Sequence, residues 1–298
     1  MSAARTADIT TTGLYLEPST LCPLDCALCY TAHKEQRLLP VEVIHRAVEV
    51  MIAGQETLGL FWCGLGEVFV DRRFPGLLQD LDARWPGRLL HVVQTNGQVP
   101  GAALPDPANK VALVSVDLPR AFQEAHRGRG TWTRALDFGA RHLATGGQGL
   151  GIKCLLTSAT VPAVARSFRG LQRALARRAG LPLADLRARS WLEPIVPFPR
   201  GQVAALDNAA FIPNGGAEDP AAVLAAVARH LPEHAASLRE RPWTLELSVT
   251  ARGLFSCCEA VVPIGEHSDL WRLDRRALLA RLEAAAAECE ACPLLDVC

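Results

Sequence analysis

The sequence predicts an α/β fold organised around a parallel β-sheet. Short apolar segments typical of strands alternate with longer amphipathic segments typical of helices over the first two-thirds of the chain. The chain has 298 residues, of which 49% are hydrophobic, so it is long enough to bury a large core. Because helices separate successive strands, the strands are expected to run parallel and to be joined by helical crossovers.

Six segments have the composition of strands. One of them, Leu58–Cys63, is an uninterrupted apolar run that ends at glycines, as expected for a buried parallel strand. Barrels made of parallel strands and helices carry out their chemistry at the carboxyl ends of the strands. The residues after each segment are therefore the first candidates for a site. In chain order the six are Gly13–Glu17, Leu58–Cys63, Leu89–Gln94, Val111–Val116, Leu150–Leu156 and Trp191–Val196.

Four helices are predicted between these strands. In the first, Pro40–Ala53, the apolar side chains of Val41, Ile44 and Val48 recur on one face. The other three are Phe74–Arg84, Trp132–Thr145 and Val164–Ala179. Farther along, Pro220–Leu238 predicts an Ala-rich amphipathic helix, and Asp207–Asp219 predicts a linker or a loop that covers the substrate.

Charge and hydropathy exclude several classes of partner. Lys plus Arg and Asp plus Glu both number 31, so the chain lacks the basic field that attracts nucleic acid. No apolar run of about 18 residues predicts a membrane span, and residues 1–8 lack the apolar core of a signal peptide. Ten cysteines without an export signal favour a reducing, cytoplasmic location in which thiols serve metal or redox chemistry.

The strongest local pattern is Cys22-x3-Cys26-x2-Cys29, which places three thiols on one short loop after the first strand. Structural zinc sites normally need four ligands, and disulfide frameworks need an even number of cysteines. A four-iron cluster held by three thiolates leaves one iron open to a cofactor or substrate, whereas electron-transfer clusters are normally fully capped. The spacing therefore favours a reactive iron–sulfur cluster. A zinc knuckle, or a ferredoxin-like loop completed by a distant cysteine, is the alternative.

With Tyr30 after the third cysteine, this loop resembles the signature loop of the radical SAM enzymes. The resemblance implies that the open iron of a [4Fe-4S] cluster binds S-adenosylmethionine (AdoMet), with Tyr30 among the cofactor-binding residues. Reduction would cleave a carbon–sulfur bond of AdoMet and give a 5′-deoxyadenosyl radical that removes a hydrogen atom from the substrate. The resemblance also implies a partial (β/α)6 TIM-like barrel over residues 10–205, and an electron donor such as flavodoxin or ferredoxin.

Gly64-Leu65-Gly66-Glu67, after the second predicted strand, stands where those enzymes have Gly-Gly-Glu-Pro. The glycines let the backbone approach the methionine end of AdoMet, and a carbonyl or carboxylate accepts from its ammonium group. Leu65 and Val68 depart from the family pattern. An ordinary turn between a strand and a helix is the alternative, because a single glycine-rich turn is weak evidence.

The remaining AdoMet-binding candidates are Asn96, Ser115, Asp117 and Arg127. The turn Asn96-Gly97 resembles a recurrent turn of the family, although Asn-Gly is also a common turn by itself. Ser115 and Asp117 share one face and are predicted to point into the barrel mouth, where the resemblance assigns Ser115 to the ribose or carboxylate of AdoMet. It assigns Arg127 to the AdoMet carboxylate, which a guanidinium fork fits well. A solvated basic loop is the alternative there.

A second cysteine cluster lies near the C-terminus. A predicted hairpin, Leu245–Thr250 with Leu254–Cys257, leads into Cys257-Cys258, and a predicted helix, Leu270–Glu288, precedes Cys289-x2-Cys292-x5-Cys298. This order is similar to the SPASM or twitch extension of radical SAM proteins. The similarity implies a small cysteine-rich hairpin-and-helix domain over residues 206–298 that holds an auxiliary cluster.

A full SPASM extension contains more cysteines than this chain provides, so one auxiliary [4Fe-4S] cluster is expected rather than two. The family spacing, counted from Gly253, favours Cys258 over Cys257 as one ligand. A zinc ion on the same four thiolates is the alternative. The complete predicted set is Cys289, Cys292, Cys298 and either Cys257 or Cys258.

Three residues are candidates for a direct role in the reaction. Cys63 or Cys154 is a candidate to return a hydrogen atom to a substrate radical. Glu193, near the end of the sixth strand, is a candidate proton acceptor or substrate contact. A buried cysteine is more often a small apolar residue, and a carboxylate is more often solvated or paired.

The sequence therefore predicts a radical SAM enzyme with one auxiliary cluster, and hydrogen abstraction from a peptide or natural product is the favoured reaction. Dehydrogenation of a small sugar- or cyclitol-type alcohol is the second interpretation, and a non-catalytic iron–sulfur or zinc scaffold is the third. Only about a dozen residues precede the first strand, so no N-terminal peptide-recognition domain is expected. A separate protein would then present a peptide substrate.

Overall fold

The computed structural model describes residues 13–26, 36–64, 66–195, 220–234, 247–256 and 263–290. The fold and most of the AdoMet-binding candidates lie within these ranges. The predicted boundary at 205/206 and the predicted loop 207–219 fall outside them. So do Cys29, Tyr30, Cys257, Cys258, Cys292 and Cys298, together with the side chain of Cys289.

Six parallel strands form the centre of the fold. Each strand pairs with the next one along the chain, so their order in the sheet is their order in the sequence. The predicted α/β class is confirmed, with the six-stranded parallel sheet of a partial TIM-like barrel. The strands are β1 (Gly13–Leu16), β2 (Leu58–Trp62), β3 (Leu89–Thr95), β4 (Lys110–Ser115), β5 (Gly149–Leu155) and β6 (Ser190–Ile195).

Helices connect these strands and cover one side of the sheet. Four of them correspond to predicted helices to within three residues at either end: α1 (Val41–Ile52), α2 (Phe74–Arg84), α4 (Thr131–Ala144) and α5 (Val161–Ala179). Two short helices, α3 (Arg120–Arg127) and α6 (Leu183–Ala188), were not predicted. None of the helices in the described ranges is both long enough and apolar enough to cross a membrane.

The C-terminal segments extend the same sheet. The predicted hairpin is present as β7 (Leu247–Thr250) and β8 (Gly253–Phe255), and β7 pairs in parallel with β1. A short strand, β9 (Pro263–Gly265), then pairs with β8 and forms the edge of the sheet. Helices α7 (Pro220–His230) and α8 (Arg275–Glu290) lie before and after the hairpin in the chain. One continuous sheet therefore includes strands from both predicted domains.

Alternate side chains of the sheet face the helices. Trp62 on β2 contacts Phe74 of α2 edge to face, with ring centroids 5.3 Å apart. Leu150 on β5 lies directly against Gly139 of α4. The intervening side chains point to the opposite side, which we call the inner face, where Tyr15 and Phe61 stack with centroids 5.2 Å apart. In a parallel barrel the ligand site lies at the carboxyl ends of the strands, where the inner face opens.

A buried charged cluster lies at the amino-terminal edge of the sheet. Lys110, the first residue of β4, is fully buried. Its ammonium group donates to Asp82 Oδ2 at 2.6 Å, to Asn109 Oδ1 at 2.7 Å and to the carbonyl of Asp106 at 3.0 Å. An ammonium group has three protons, so this cation is fully satisfied by the protein.

His91 completes this amino-edge cluster of Asp82, His91 and Lys110. The indole of Trp62 can only donate, so His91 Nδ1 accepts its hydrogen bond at 2.9 Å, and His91 Nε2 donates to Asp82 Oδ1 at 3.0 Å. Burial lowers the pKa of His91, which keeps the ring in this neutral tautomer. Burial opposes ionisation of Asp82, but its hydrogen bonds with His91 and Lys110 outweigh burial and lower the pKa of this carboxyl.

Candidate functional site

The cysteine loop begins just after β1, and hydrogen bonds join its two ends. The amide of Thr20 donates to the carbonyl of Arg37 at 3.0 Å, and the amide of Arg37 donates to Thr20 Oγ1 at 2.7 Å. Between these anchors, Cys22 is exposed and Cys26 is half-buried. Within the described ranges no group of three metal-ligating side chains is complete. The thiols of Cys22 and Cys26 lie at the carboxyl edge of the sheet, where the sequence predicts the cluster.

The turn after β2 packs directly against this loop. The amide of Glu67 donates to the carbonyl of Leu21 at 2.7 Å. A Cβ atom on Gly66 would lie 2.2 Å from the carbonyl oxygen of Ser19 and 2.7 Å from that of Leu21. Only glycine allows this approach, because backbone oxygens cannot move aside as the end of a flexible side chain can. The glycine at 66 is therefore explained by contact with the cysteine loop.

The carboxylate of Glu67 connects the β2 turn to the β3 turn. It is almost fully buried and accepts from Thr95 Oγ1 at 2.6 Å and from the amides of Asn96 at 2.7 Å and Phe69 at 3.3 Å. Burial raises the pKa of Glu67, and the three hydrogen bonds partly offset that effect. With its oxygens engaged in this way, Glu67 holds the two turns together, and Gly66 and Glu67 lie beside the cysteine loop.

Asn96 directs its side-chain amide at Cys22. Its Oδ1 accepts from the amide of Gln98 at 2.9 Å, which orients Nδ2 toward Cys22 Sγ at 3.5 Å. Gln98 is itself fixed, because its Nε2 donates to the carbonyl of Thr131 at 3.0 Å and its Oε1 accepts from Arg134 Nε at 2.7 Å. A fixed N–H donor stabilises a thiolate and tunes the potential of an iron–sulfur cluster.

Asp117 is fully buried just beyond β4 and accepts several hydrogen bonds. Its Oδ2 lies 2.5 Å from Arg127 Nε and 2.9 Å from His126 Nε2, and its Oδ1 accepts from the amide of Leu155 at 2.7 Å. Burial alone would raise the pKa of Asp117, but Arg127 and His126 outweigh burial and lower the pKa to about 2. Asp117 thus stays ionised and joins β4, β5 and α3. We call Asp117, His126 and Arg127 the carboxyl-edge cluster.

Arg127 uses only part of its guanidinium group within this cluster. Its Nε donates to Asp117, whereas neither Nη atom has a hydrogen-bond partner among the residues that the structure describes. Burial opposes its charge, but the carboxylate of Asp117 outweighs burial and raises the pKa of Arg127, with smaller contributions from Cys26 and Cys154. The guanidinium therefore lies within electrostatic reach of the cysteine loop and keeps a fork of donors for a ligand.

Ser115 and Glu193 lie on the inner face, on either side of Lys153. The register pairs Ser115 of β4 with Lys153 of β5, and Lys153 with Glu193 of β6. Asp117 does not point in the same direction as Ser115, although the two were predicted to share one face. The carboxylate of Asp117 turns toward α3, whereas Ser115 lies on β4. The alternation of side chains that led to this prediction stops at Ser115, because β4 ends there.

The two candidate thiols occupy different surroundings. Cys63 is half-buried and, with Glu17 and Gly64, lines a shallow cleft beside the end of β7 with room for about one water molecule. Cys154 is fully buried on the helix-facing side of β5, and its sulfur accepts from the amide of Leu118 at 3.3 Å. Burial, with the nearby charge of Asp117, raises the pKa of Cys154. Cys63 is thus the more accessible of the two thiols.

Several site residues were not identified from the sequence. His126 and Gln123, whose Oε1 accepts from the amide of Asp117 at 2.8 Å, belong to α3, which has only eight residues and low mean hydropathy. Gln98, two residues after Asn96, looks like an ordinary loop residue in the sequence. A carboxylate directly after a buried strand, such as Asp117, is a signal that a cation should lie nearby. That signal points to His126 as well as Arg127.

Solved structures share this architecture. Native anSMEcpe with bound AdoMet matches with a TM-score of 0.60 over 96% of this chain and 87% of that chain, at 14% sequence identity. The same protein with bound AdoMet and the Cp18Cys peptide gives 0.54 over 96% and 87%, at 14% identity. Both are radical SAM structures. The chain has the radical SAM fold.

A second radical SAM enzyme, Streptococcus suis SuiB bound to its precursor peptide SuiA, has the same fold with a TM-score of 0.51. The match covers 97% of this chain and 71% of that chain, at 13% identity. No protein-family model matches the sequence, and no curated protein matches it. The radical SAM fold is therefore established by structure rather than by sequence likeness.

The described residues fit the cofactors that this fold implies. Cys22 and Cys26 present thiols at the carboxyl edge, where an amide from Asn96 and the charge of Arg127 both favour thiolates. Two Nη atoms of Arg127 without partners in the described ranges suit a carboxylate. A sulfur-ligated cluster and an amino-acid group fit this donor set.

Proposed function

We propose that this chain is a radical SAM enzyme that reductively cleaves AdoMet and abstracts a hydrogen atom from a peptide or natural-product substrate. The observation that carries the proposal is the convergence of the Cys22 thiol, the Asn96 amide and the Asp117-bound Arg127 at one edge of the barrel. When bound, the cluster and AdoMet supply the hydrogen-abstracting chemistry, with methionine and 5′-deoxyadenosine as products.

Each residue in the proposal has one task. Cys22, Cys26 and Cys29 hold the cluster, and Asn96 donates to the Cys22 sulfur. Arg127, positioned by Asp117, binds the AdoMet carboxylate through its Nη atoms. Ser115 contacts the ribose from the inner face, and the backbone of residues 64–67 receives the methionine ammonium. Tyr30 is proposed to lie against the cofactor as well.

A peptide is the substrate class that we favour. Among structures with the same fold, SuiB binds the precursor peptide SuiA and anSMEcpe binds the Cp18Cys peptide. We extend this to the present chain as a proposal, together with a flavodoxin or ferredoxin as electron donor. Ten cysteines favour a reducing compartment such as the cytosol as its location.

One auxiliary [4Fe-4S] cluster is proposed for the C-terminal cysteines. Its ligands are Cys258, Cys289, Cys292 and Cys298, with Cys257 as the alternative to Cys258. Strand β8 ends two residues before Cys257, and its hairpin partner β7 pairs with β1, the strand that leads into the cysteine loop. Four thiolate ligands leave no iron open, which suits a cluster that accepts an electron from a substrate that must lose a second one.

For the alternative in which the substrate radical is reduced instead of losing a second electron, we propose Cys63, rather than Cys154, as the thiol that returns a hydrogen atom, because Cys63 borders a small cleft and Cys154 is fully buried. Once the substrate is identified, Cys63→Ser should abolish turnover while AdoMet cleavage continues. Cys154→Ser serves as the matched control and should retain turnover. Normal turnover in Cys63→Ser excludes this role.

The direct test of the proposed function is reductive cleavage of AdoMet. The anaerobically reconstituted full-length protein, given dithionite and AdoMet, should produce 5′-deoxyadenosine and methionine, measured by liquid chromatography with mass spectrometry. A Cys22→Ala variant should produce neither. A wild-type protein that holds a four-iron cluster and binds AdoMet, but never cleaves it, would contradict the proposal and favour a scaffold.

A further inference from the structure

Lys153 is a charged side chain on the inner face of the barrel. It lies on β5 and alternates with Ile152 and Cys154, both of which are buried on the helix-facing side. Its Nζ donates to Gln94 Oε1 of β3 at 2.6 Å, so the side chain reaches across β4. A lysine within a parallel strand of a barrel needs a specific reason, because such positions are normally apolar.

The charge of Lys153 has no ionic partner among the described residues. Gln94 is a neutral amide, and no described carboxylate forms an ion pair with this ammonium within 4.0 Å. Lys110, the other lysine of the sheet, instead contacts Asp82 directly at 2.6 Å. A half-buried ammonium group held by a single neutral amide still has two protons to donate, and an anion would satisfy both charge and hydrogen bonding.

An apolar surface lies next to this ammonium group. Gly149 and Gly151 leave the inner face of β5 bare, and Trp191 of β6 covers both positions. A Cβ atom on Gly151 would lie 2.3 Å from Leu113 and 3.1 Å from Trp191, so these two side chains meet over the glycine. Trp191 remains 39% exposed, which leaves part of the indole for a ligand. An ammonium group and a partly exposed indole on the same face of the sheet suit an apolar molecule that carries an anionic group.

Lys153 lies beside the proposed AdoMet site, because its register partner Ser115 is the residue proposed to contact the ribose. Its partner Gln94 lies within β3, two residues before Asn96, which contacts the cysteine loop. Arg127 already offers a guanidinium fork near Cys26 for the AdoMet carboxylate. With the AdoMet carboxylate assigned to Arg127, Lys153 is left for a ligand that meets AdoMet on the inner face.

We propose that Lys153 binds a carboxylate group of the substrate and makes the enzyme selective for anionic substrates. The inference rests on the proposed function, which it deepens by naming the substrate class as an apolar group joined to a carboxylate. Gln94 positions the ammonium group, and Trp191 with Leu113 receives the apolar part.

Two matched probes test this selectivity without knowledge of the true substrate. They are 3-phenylpropionate and its neutral amide, 3-phenylpropanamide, measured by equilibrium dialysis against the reconstituted, AdoMet-loaded holoenzyme. The wild-type protein should bind the carboxylate at least about tenfold more tightly than the amide. Lys153→Met should lose the preference, and Lys153→Arg should keep it. Equal binding of both probes by wild type, or an unchanged preference in Lys153→Met, would overturn the proposal.

A second measurement on the same variants distinguishes a substrate carboxylate from the carboxylate of AdoMet as the group that Lys153 binds. The Kd of AdoMet should differ less than about twofold between wild type and Lys153→Met, and uncoupled AdoMet cleavage should continue in both. A tenfold rise in the AdoMet Kd of Lys153→Met would assign this cation to AdoMet and overturn the proposal. If wild type itself cleaves no AdoMet, the proposed function fails first, and that outcome is visible before any probe is added.

Discussion

The two edges of the sheet carry buried clusters of the same composition, each with one Asp, one His and one cation. At the amino edge, Asp82, His91 and Lys110 join α2 to β3 and β4. At the carboxyl edge, Asp117, His126 and Arg127 join β4 to α3. The same residue types therefore form two clusters with different roles at opposite ends of the sheet.

The difference lies in how the cation is satisfied. All three protons of Lys110 have acceptors within the protein. Arg127 donates through Nε alone, and its Nη atoms have no acceptor among the described residues. A closed cluster stabilises the fold, whereas a cluster with donors to spare is prepared for a ligand. Unused donor capacity, rather than the presence of charge, marks the candidate site.

The largest expected effect comes from opening the amino-edge cluster. Lys110→Met leaves Asp82 and the buried surface around it without their cation, which typically costs 3–5 kcal/mol. Because the Asp82 side chain is 22% exposed, we expect a loss near the lower end, about 3 kcal/mol in the free energy of unfolding measured with urea. The folded fraction should bind AdoMet as wild type does. Impaired AdoMet binding with normal stability would reverse the roles given to the two edges.

A smaller effect is expected from acid acting on the carboxyl-edge cluster. The pKa of Asp117 is lowered from 3.8 to about 2 in the folded protein, so its contribution is complete above pH 4 and is lost as the pH falls toward 2. The shift corresponds to about 2 kcal/mol of stability. Asp117→Asn should therefore be less stable at pH 7 and should lose less stability than wild type between pH 4 and pH 2. Parallel stability curves for the two proteins would show that Asp117 is not held ionised.

The smallest effect in free energy is expected at Arg127, but it concerns ligand binding. Arg127→Lys keeps a charge beside Asp117 and loses the planar fork, so stability should change by less than about 1 kcal/mol. The Kd of AdoMet, measured by equilibrium dialysis, should rise at least about tenfold, which corresponds to about 1.4 kcal/mol. If Arg127→Lys binds AdoMet like wild type but unfolds as easily as Lys110→Met, both clusters are structural.

Much of the fold could be predicted from the sequence because it depends on local periodicity. Strand and helix order follow from apolar patterns, and the candidate residues after β2, β3 and β4 follow from the rule that parallel strands end at one edge. The pairing of β7 with β1 could not be predicted, because it joins segments more than 230 residues apart without a local signal. Long-range pairing depends on packing that one sequence does not reveal.

Side-chain partners were harder to predict than positions. Glu67 was expected near AdoMet, but whether its carboxylate faces a ligand or the Asn96 amide depends on how two turns meet. Lys153 escaped notice because a single lysine in an apolar strand usually belongs to an edge or to a solvated face. Only the register of β4, β5 and β6 shows that it lies on the inner face between Ser115 and Glu193.

The most direct test of the central claim is the iron and sulfide content of the anaerobically reconstituted protein, with electron paramagnetic resonance before and after AdoMet is added. We expect roughly eight irons in wild type and roughly four when Cys22, Cys26 and Cys29 are all replaced by Ala. AdoMet should change the spectrum of the wild-type protein and leave that of the variant unchanged. A wild-type spectrum that does not change when AdoMet is added would contradict the account. So would a cysteine loop that binds zinc instead of iron.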